Sequence, residues 1–363
     1  MDSPELLDKI AWLASALGVN AASPLRLMEV CGTHTMAIAK SGLRSLLPEG
    51  IRLISGPGCP VCVTANADID RIIALTRVDG LTVASFGDML RVPGSSTSLA
   101  ARRAEGAAVE VVYSPLDALR LATEQPERQV AFVGVGFETT APIIAATILR
   151  AEAGLIPNFS VLPAMKLVPP ALTALLDDPA LALDGLILPG HVSSILGLEP
   201  YAFIAESYAM PAVVTGFDAP DILLGVFMLL EQIAAKQQGQ ALAVGNAYQR
   251  AVREDGNKEA LRSMQRVFEP VDAAWRGLGE IADSGLGMRQ EYAAFDAGQR
   301  FELVVEPTVE PRGCRCGDVL RGLIAPPECP LFGRACTPTD PLGPCMVSSE
   351  GSCAAYYRYG ISA

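Results

Sequence analysis

From residue 26 to about 235 the chain repeats one pattern, and nothing else in it limits the fold so strongly. A short apolar strand is followed by a loop rich in Gly, Pro or polar residues, and then by a helical stretch. The strands read LRLMEV, IRLIS, LTVASF, VEVVY, QVAFVGV, FSVLP, LDGLILP and PAVVTG. Helical patterns such as NADIDRIIALTR and PLDALRLATEQ fall between them. Continuous apolar strands alternating with helices imply parallel sheets covered on both faces. A break at TEQPERQ, residues 123–129, separates two halves of similar grammar. The expectation is an α/β protein with two similar, doubly wound parallel-sheet domains, 1–125 and 126–240.

Residues 241–297 carry charged, amphipathic patterns that predict helices, and RFELVVEP predicts a strand. The remainder is rich in Pro, Gly and Cys with little periodicity. Such a tail has few means of building a core, and a metal cluster would supply the missing cross-links. Residues 241–363 are therefore expected to form a third, helical and loop-rich domain.

At 363 residues the chain exceeds one ordinary core. Its net charge of −12, with no block of Lys or Arg, disfavours nucleic acid and anionic lipid as partners. The N-terminus has acidic residues where a signal peptide needs basic ones. The most apolar stretch, ILLGVFMLLEQIAA, is interrupted by Glu231 and is too short to span a bilayer. A soluble, cytoplasmic protein is expected. There, structural disulfides are rare, so nine cysteines point to metal binding or catalysis. Cys31, Cys59 and Cys62 lie early, and six more crowd between Cys314 and Cys353.

Ligands of open α/β sheets sit beyond the carboxyl ends of the strands. Those ends carry Cys31 and His34 (CGTHT), Cys59 and Cys62 (GPGCPVC), Asp88 (GDML), Glu138 and Thr139 (FETTAP) and His191 (GHVSS). Both histidines and all three early cysteines are thus at strand ends. A lone cysteine is most often a small buried hydrophobe. Followed by Gly-Thr-His before a helix, Cys31 is expected to be a thiolate, its pKa lowered by the helix N-terminus and a nearby imidazolium. His34 and His191 are read equally as helix-start residues or functional groups. Asp88 and Glu138 read singly as helix N-caps or first-turn acids. GVGFET lacks the third glycine of a dinucleotide fingerprint. CPVC fits a redox dithiol with a thiolate at Cys59, or half of a zinc site completed by Cys31 and His34. In the tail, Cys329, Cys336, Cys345 and Cys353 show no paired C-x₂-C knuckle and suit a four-iron cluster better than zinc. Cys314 and Cys316 are surplus.

The strings MEVCGTHT, GPGCPVCVT, GFETTAP, LPGHVSSILG and CGDVLRG…ECPLFGRACTP…GPCMVSSEGSCAAYYRYG resemble, in order and over essentially the whole chain, the HypD family of hydrogenase maturation factors. The resemblance implies two α/β domains facing a cleft and a C-terminal domain holding a [4Fe–4S] cluster. It implies a role in assembling the iron centre, with cyanide and carbon monoxide ligands, of [NiFe]-hydrogenases. The implied partners are a small HypC-type protein sharing the iron and a HypE-type cyanide donor. By motif, Cys31 would bind that iron with His34 beside it, Cys59 and Cys62 would form a thiol/disulfide pair, and Cys329, Cys336, Cys345 and Cys353 would hold the cluster. Asp88, Glu138 and His191 would complete the reactive loops. Cluster plus dithiol is also similar to ferredoxin:thioredoxin reductase. The chain alone is expected to be monomeric. Iron with strong-field ligands suits thiolate donors. A thioredoxin-type pair sits near roughly −270 mV, where both redox states are accessible in the cytosol. Two rival readings are an iron–sulfur-dependent thiol–disulfide oxidoreductase acting on a protein, and a zinc-stabilised interaction protein.

Overall fold

All eight strands expected between residues 26 and 235 form in the computed structural model, which describes residues 3–360. They are β1 Leu25–Glu29, β2 Ile51–Ser55, β3 Leu81–Ser85, β4 Val109–Val111, β5 Gln129–Gly134, β6 Phe159–Pro163, β7 Gly185–Pro189 and β8 Ala212–Thr215. A two-residue strand, β9 Gly245–Asn246, adds to the edge beside β8. They make two parallel sheets, one in the order β2-β1-β7-β8-β9 and one in the order β4-β3-β5-β6.

That order corrects the division at 125/126. β1 pairs with β7 (Leu27 opposite Gly185), and β3 pairs with β5 (Leu81 opposite Gln129), so each sheet draws strands from both expected halves. The chain starts the larger sheet with β1 and β2, leaves to build β3–β6, and returns at β7 beside β1. The break at 123–129 is only the turn between the helix Pro115–Glu124 and β5. Strand-and-helix grammar is the same in either sheet, whereas pairing is non-local, and that is why the boundary was misplaced.

Both faces of each sheet are covered, because successive residues of a strand point to opposite sides. In the larger sheet Leu27, Ile187 and Val213 pack with Ile38 and Val226 on one face. Met28, Leu186, Leu188 and Val214 pack with Tyr201 and Trp275 on the other. In the smaller sheet Val83, Ala131 and Val133 join Ile72 and Ile73, while Ala84, Val130 and Phe132 join Ile144 and Ile148.

Between residues 241 and 289 the expected helices give way to one, Lys258–Val267, followed by an antiparallel hairpin of β10 Phe268–Trp275 and β11 Gly279–Met288. Its turn holds Gly277 and Gly279 at φ 81° and 80°, a conformation that favours glycine. The hairpin's exposed Glu269, Asp272, Glu280 and Asp283 imitate the polar face of a surface helix, which hid it from the periodicity. Buried Trp275 donates its indole N–H to Ser284 Oγ at 2.8 Å. RFELVVEP, expected as a strand, joins no ladder. The chain just beyond it is tied down by side chains, with Asn66 Nδ2 donating to the Val309 carbonyl (2.7 Å) and Val309 N–H to Ser95 Oγ (2.7 Å).

The tail folds as the short helices Cys316–Leu320, Pro344–Val347 and Ser352–Tyr359, joined by loops. Its Cys316, Cys345, Met346 and Cys353 share one apolar cluster with Met28, Cys59, Cys62 and Leu188. It thus packs on a face of the larger sheet. Among the described residues no helix is long and apolar enough to cross a membrane.

Candidate functional site

Two loops leave adjacent strands and are stitched together. Cys31, just after β1, is the N-cap of the helix Gly32–Ser41. Cys59, just after β2, caps the short helix Pro60–Val63, its sulfur accepting the Cys62 N–H at 3.3 Å. Between them Gly32 N–H donates to the Gly58 carbonyl at 2.8 Å. The approach is so close that a Cβ on Gly58 would lie 2.1 Å from the Cys31 nitrogen. The sequence GPGC after β2 is what allows the two cysteine loops to meet.

The C-terminal tail closes over this junction. Thr33 Oγ1 donates to Glu350 Oε1 at 2.7 Å, and a Cβ on Gly32 would meet Glu350 at 2.6 Å. The Cys59 thiol faces Ser348 Oγ at 3.4 Å. Asp88, in the first turn of the helix Gly87–Leu90, accepts from Ser349 N–H (3.1 Å) and Ser349 Oγ (3.2 Å), so it clamps the same tail loop. Sequence reasoning missed Glu350, Ser348 and Thr33. The carboxyl of Glu350 inside the Gly/Ser turn SSEGSC was the signal available.

The charge states differ from those expected. Cys31 is buried, and its thiol is pushed up to about 12, first by burial and then by the neighbouring Glu350 charge. Hydrogen bonds from the His34 and Thr33 backbones lower it only in part. His34 is fully buried and lowered to about 4 by desolvation. It is therefore a neutral imidazole at pH 7, and the expected thiolate–imidazolium pair is corrected to thiol and neutral ring. His34 Nε2 lies 2.9 Å from the Gly216 carbonyl and 2.8 Å from Thr215 Oγ1. A carbonyl only accepts, so Nε2 carries the proton and Nδ1 is a bare acceptor, buried and without a partner in the protein. Phe217 lies between the two histidines, its centroid 4.6 Å from His34 and 3.8 Å from His191. His191 is exposed, lowered by desolvation and held up by Glu350.

Glu29, the last residue of β1, is completely buried. It accepts from the Cys31 N–H (3.2 Å) and from Thr35 Oγ1 (2.5 Å). Burial raises it to about 7. Glu138 is not a helix N-cap. It is buried, accepts from Val168 N–H at 2.8 Å, leaves Oε2 unpartnered, and is likewise raised to about 7 by burial. The buried Tyr201 phenol is pushed well up by burial and then by the Glu138 charge, with a smaller effect from Cys31.

A line of sulfur leads from this junction into the tail. The Cys62 thiol, raised by burial, points at the Pro344 carbonyl (3.9 Å), next to Cys345, and shares one buried cluster with Cys59 and Cys345. Cys345 Sγ in turn is 2.7 Å from Cys316 Sγ. Cys314, Cys316, Cys329, Cys336, Cys345 and Cys353 all border one small cavity, whose other walls include Val319, Leu331, Phe332 and Met346. The two surplus cysteines thus stand with the four proposed ligands. Among the described residues no group of three or more His, Cys, Asp or Glu side chains is arranged to hold a metal ion, which applies to Cys31, His34, Cys59 and Cys62 and to the tail cysteines alike. Soft sulfur donors around an apolar space are the donor type that iron–sulfur clusters take.

The family model HypD, described as the hydrogenase formation hypA family, matches residues 5–360. The hydrogenase maturation factor HypD of Rhodobacter capsulatus is 47% identical, over 98% of this chain and 94% of its own. That of Escherichia coli is 44% identical over 98% and 94%. A putative hydrogenase expression/formation protein of Methanocaldococcus jannaschii is 41% identical over 97% and 96%. Matches that span both partners almost end to end, together with the strand-end cysteines and histidines, lead to one conclusion: the chain belongs to the HypD family of hydrogenase maturation factors.

Proposed function

We propose that the chain is a platform on which an iron carrying cyanide and carbon monoxide is put together, with thiol redox chemistry beside it. The observation that carries this reading is that Cys59, Cys62, Cys345 and Cys316 lie in one buried cluster, with Cys345 Sγ 2.7 Å from Cys316 Sγ, one hydrogen bond from the Cys31 loop. The incoming iron is the substrate. Cys31 offers it a thiolate once the metal displaces the thiol proton, as metal binding to cysteine requires. Glu350, whose charge acts on the Cys31 thiol, would take that proton. His34, held in one tautomer by the Gly216 carbonyl, contributes an imidazole lone pair at Nδ1, and Phe217 and His191 stack beside it. A HypC-type partner would share the iron and a HypE-type partner would bring cyanide.

Cys329, Cys336, Cys345 and Cys353 would hold a [4Fe–4S] cluster, with Cys316 and Cys314 on the same wall. When bound, such a cluster supplies single electrons at low potential. The Cys59/Cys62 pair interconverts dithiol and disulfide, releasing two electrons and two protons on oxidation. The oxidoreductase reading is weakened by burial. Cys59 is 4% exposed and Cys62 0%, which leaves little room for attack on a protein disulfide.

The test is alkylation and mass spectrometry of anaerobically purified protein under reducing and oxidising conditions. Both dithiol and disulfide are expected at Cys59/Cys62. Tight stoichiometric zinc on these thiols in either condition contradicts the proposal.

A further inference from the structure

Away from the cysteine site, a cavity of about 650 Å³ lies between the free edge of β2 and the tail loop that follows the helix Cys316–Leu320. Three arginines line it, Arg26 on β1, Arg52 on β2 and Arg44 from the helix Leu43–Leu46. This is a local excess of positive charge on a chain whose net charge is −12.

The protein offsets it only in part, through Glu328 in the cavity wall and Glu29 behind it, which interacts with Arg44. Arg26 and Arg52 are register partners on neighbouring parallel strands, so two like charges stand side by side, an arrangement that is unfavourable by itself. Among the described residues none of the three arginines forms an ion pair. Arg26 donates one long hydrogen bond to the Gly322 carbonyl (3.3 Å). Arg44 donates Nε–H to the Leu53 carbonyl at 3.4 Å and lies 5.1 Å over the Tyr356 ring. Its two terminal nitrogens are shut off from solvent and have no acceptor, which is costly for a cation. The carboxylate nearest to hand in the cavity wall, Glu328, already accepts the Ala325 N–H at 2.6 Å. Glu29 behind the wall accepts from Thr35 and Cys31.

We propose that this cavity binds a small phosphate-type anion, held by the guanidinium groups of Arg26 and Arg52 with the Arg44 charge behind them. Arginine forks match the geometry of phosphate oxygens and bind them bidentately. The volume suits a small molecule rather than a polymer. An anion seated there relieves the Arg26–Arg52 repulsion and offsets the Arg44 charge behind the wall. It also bridges the larger sheet to the tail, because Tyr356 and Gly322 belong to the tail.

Isothermal titration of the full chain at fixed ionic strength tests this, using inorganic phosphate, pyrophosphate and glycerol 3-phosphate as probes. Saturable binding by at least one is expected, with a rise in melting temperature. Tighter binding of phosphate or pyrophosphate identifies a free inorganic anion, and tighter binding of glycerol 3-phosphate identifies a phosphorylated metabolite. Arg52→Gln, at an exposed position, is expected to weaken binding about tenfold, and Arg52→Lys by less, since it keeps the charge and loses the fork. Arg26→Gln is expected to act likewise, with circular dichroism unchanged. The proposal is overturned if no probe saturates below about 10 mM, or if Arg52→Gln binds as tightly as the parent.

Discussion

Cys31 carries the sharpest difference between residue type and residue state. Its place at a helix N-terminus, before Gly-Thr-His, reads as an activated thiolate, yet burial and Glu350 hold it as a thiol. The sequence showed the cysteine and its helix. It did not show a carboxylate from a loop 317 residues beyond Thr33, and no local pattern reports that contact. Glu138 allows a direct test of how burial sets charge here. Its carboxyl is raised from an ordinary 4.5 to about 7, so the folded state keeps a proton that the unfolded chain has lost. The associated stability is complete below pH 4.5 and disappears as pH rises through 7. At pH 8 the parent holds a buried carboxylate whose Oε2 has no donor, whereas glutamine there has no charge. In urea titrations Glu138→Gln is expected to match the parent at pH 5 and to gain on the order of 3 kcal/mol relative to it at pH 8. A gap that does not change with pH contradicts this assignment.

Strands β1 to β8 were legible in the sequence because each is an apolar run ending in a loop of unusual residues, and every strand-end residue singled out there does lie at a strand end. The sheet to which each strand belongs was not legible, since the pairing of β1 with β7 is a contact between segments more than 150 residues apart. The hairpin of β10 and β11 was lost to the same cause as any surface ribbon with polar outer positions. What the elements do for the site is to hold two loops at hydrogen-bonding distance, and Gly58 is where this arrangement is most exposed to change. Gly58→Ala would put a methyl 2.1 Å from the Cys31 nitrogen, against backbone that cannot rotate away. It is expected to cost about 3 kcal/mol of stability. It is also expected to uncouple Cys31 from Cys59, seen as faster alkylation of Cys31 in the folded protein. Unchanged alkylation with unchanged stability would show that the loops are not stitched as described.

At the scale of the whole molecule the tail is the fourth side of the site. It brings Glu350 to Cys31, Ser348 to Cys59, Ser349 to Asp88 and Cys345 to Cys62. Its Cys316, Cys336, Cys345 and Cys353 sit in the core that also holds Met28 and Leu188, so cross-links there are expected to steady the larger sheet. Cys336→Ala or Cys345→Ala is expected to lower the iron content and make residues beyond 312 sensitive to protease, while β3–β6 stay protected from hydrogen exchange. Full iron retention in both variants contradicts the assignment of the cluster to these residues. The central claim, that Cys31 holds the iron being assembled, is tested most directly by infrared spectroscopy of the chain purified anaerobically with its HypC-type partner. The parent complex is expected to show cyanide and carbon monoxide stretching bands. Cys31→Ser keeps the size of the side chain and offers a harder, poorly ionised donor. It is expected to lose those bands while the absorption of the cluster persists. Bands that survive in Cys31→Ser would mean that the iron is held elsewhere.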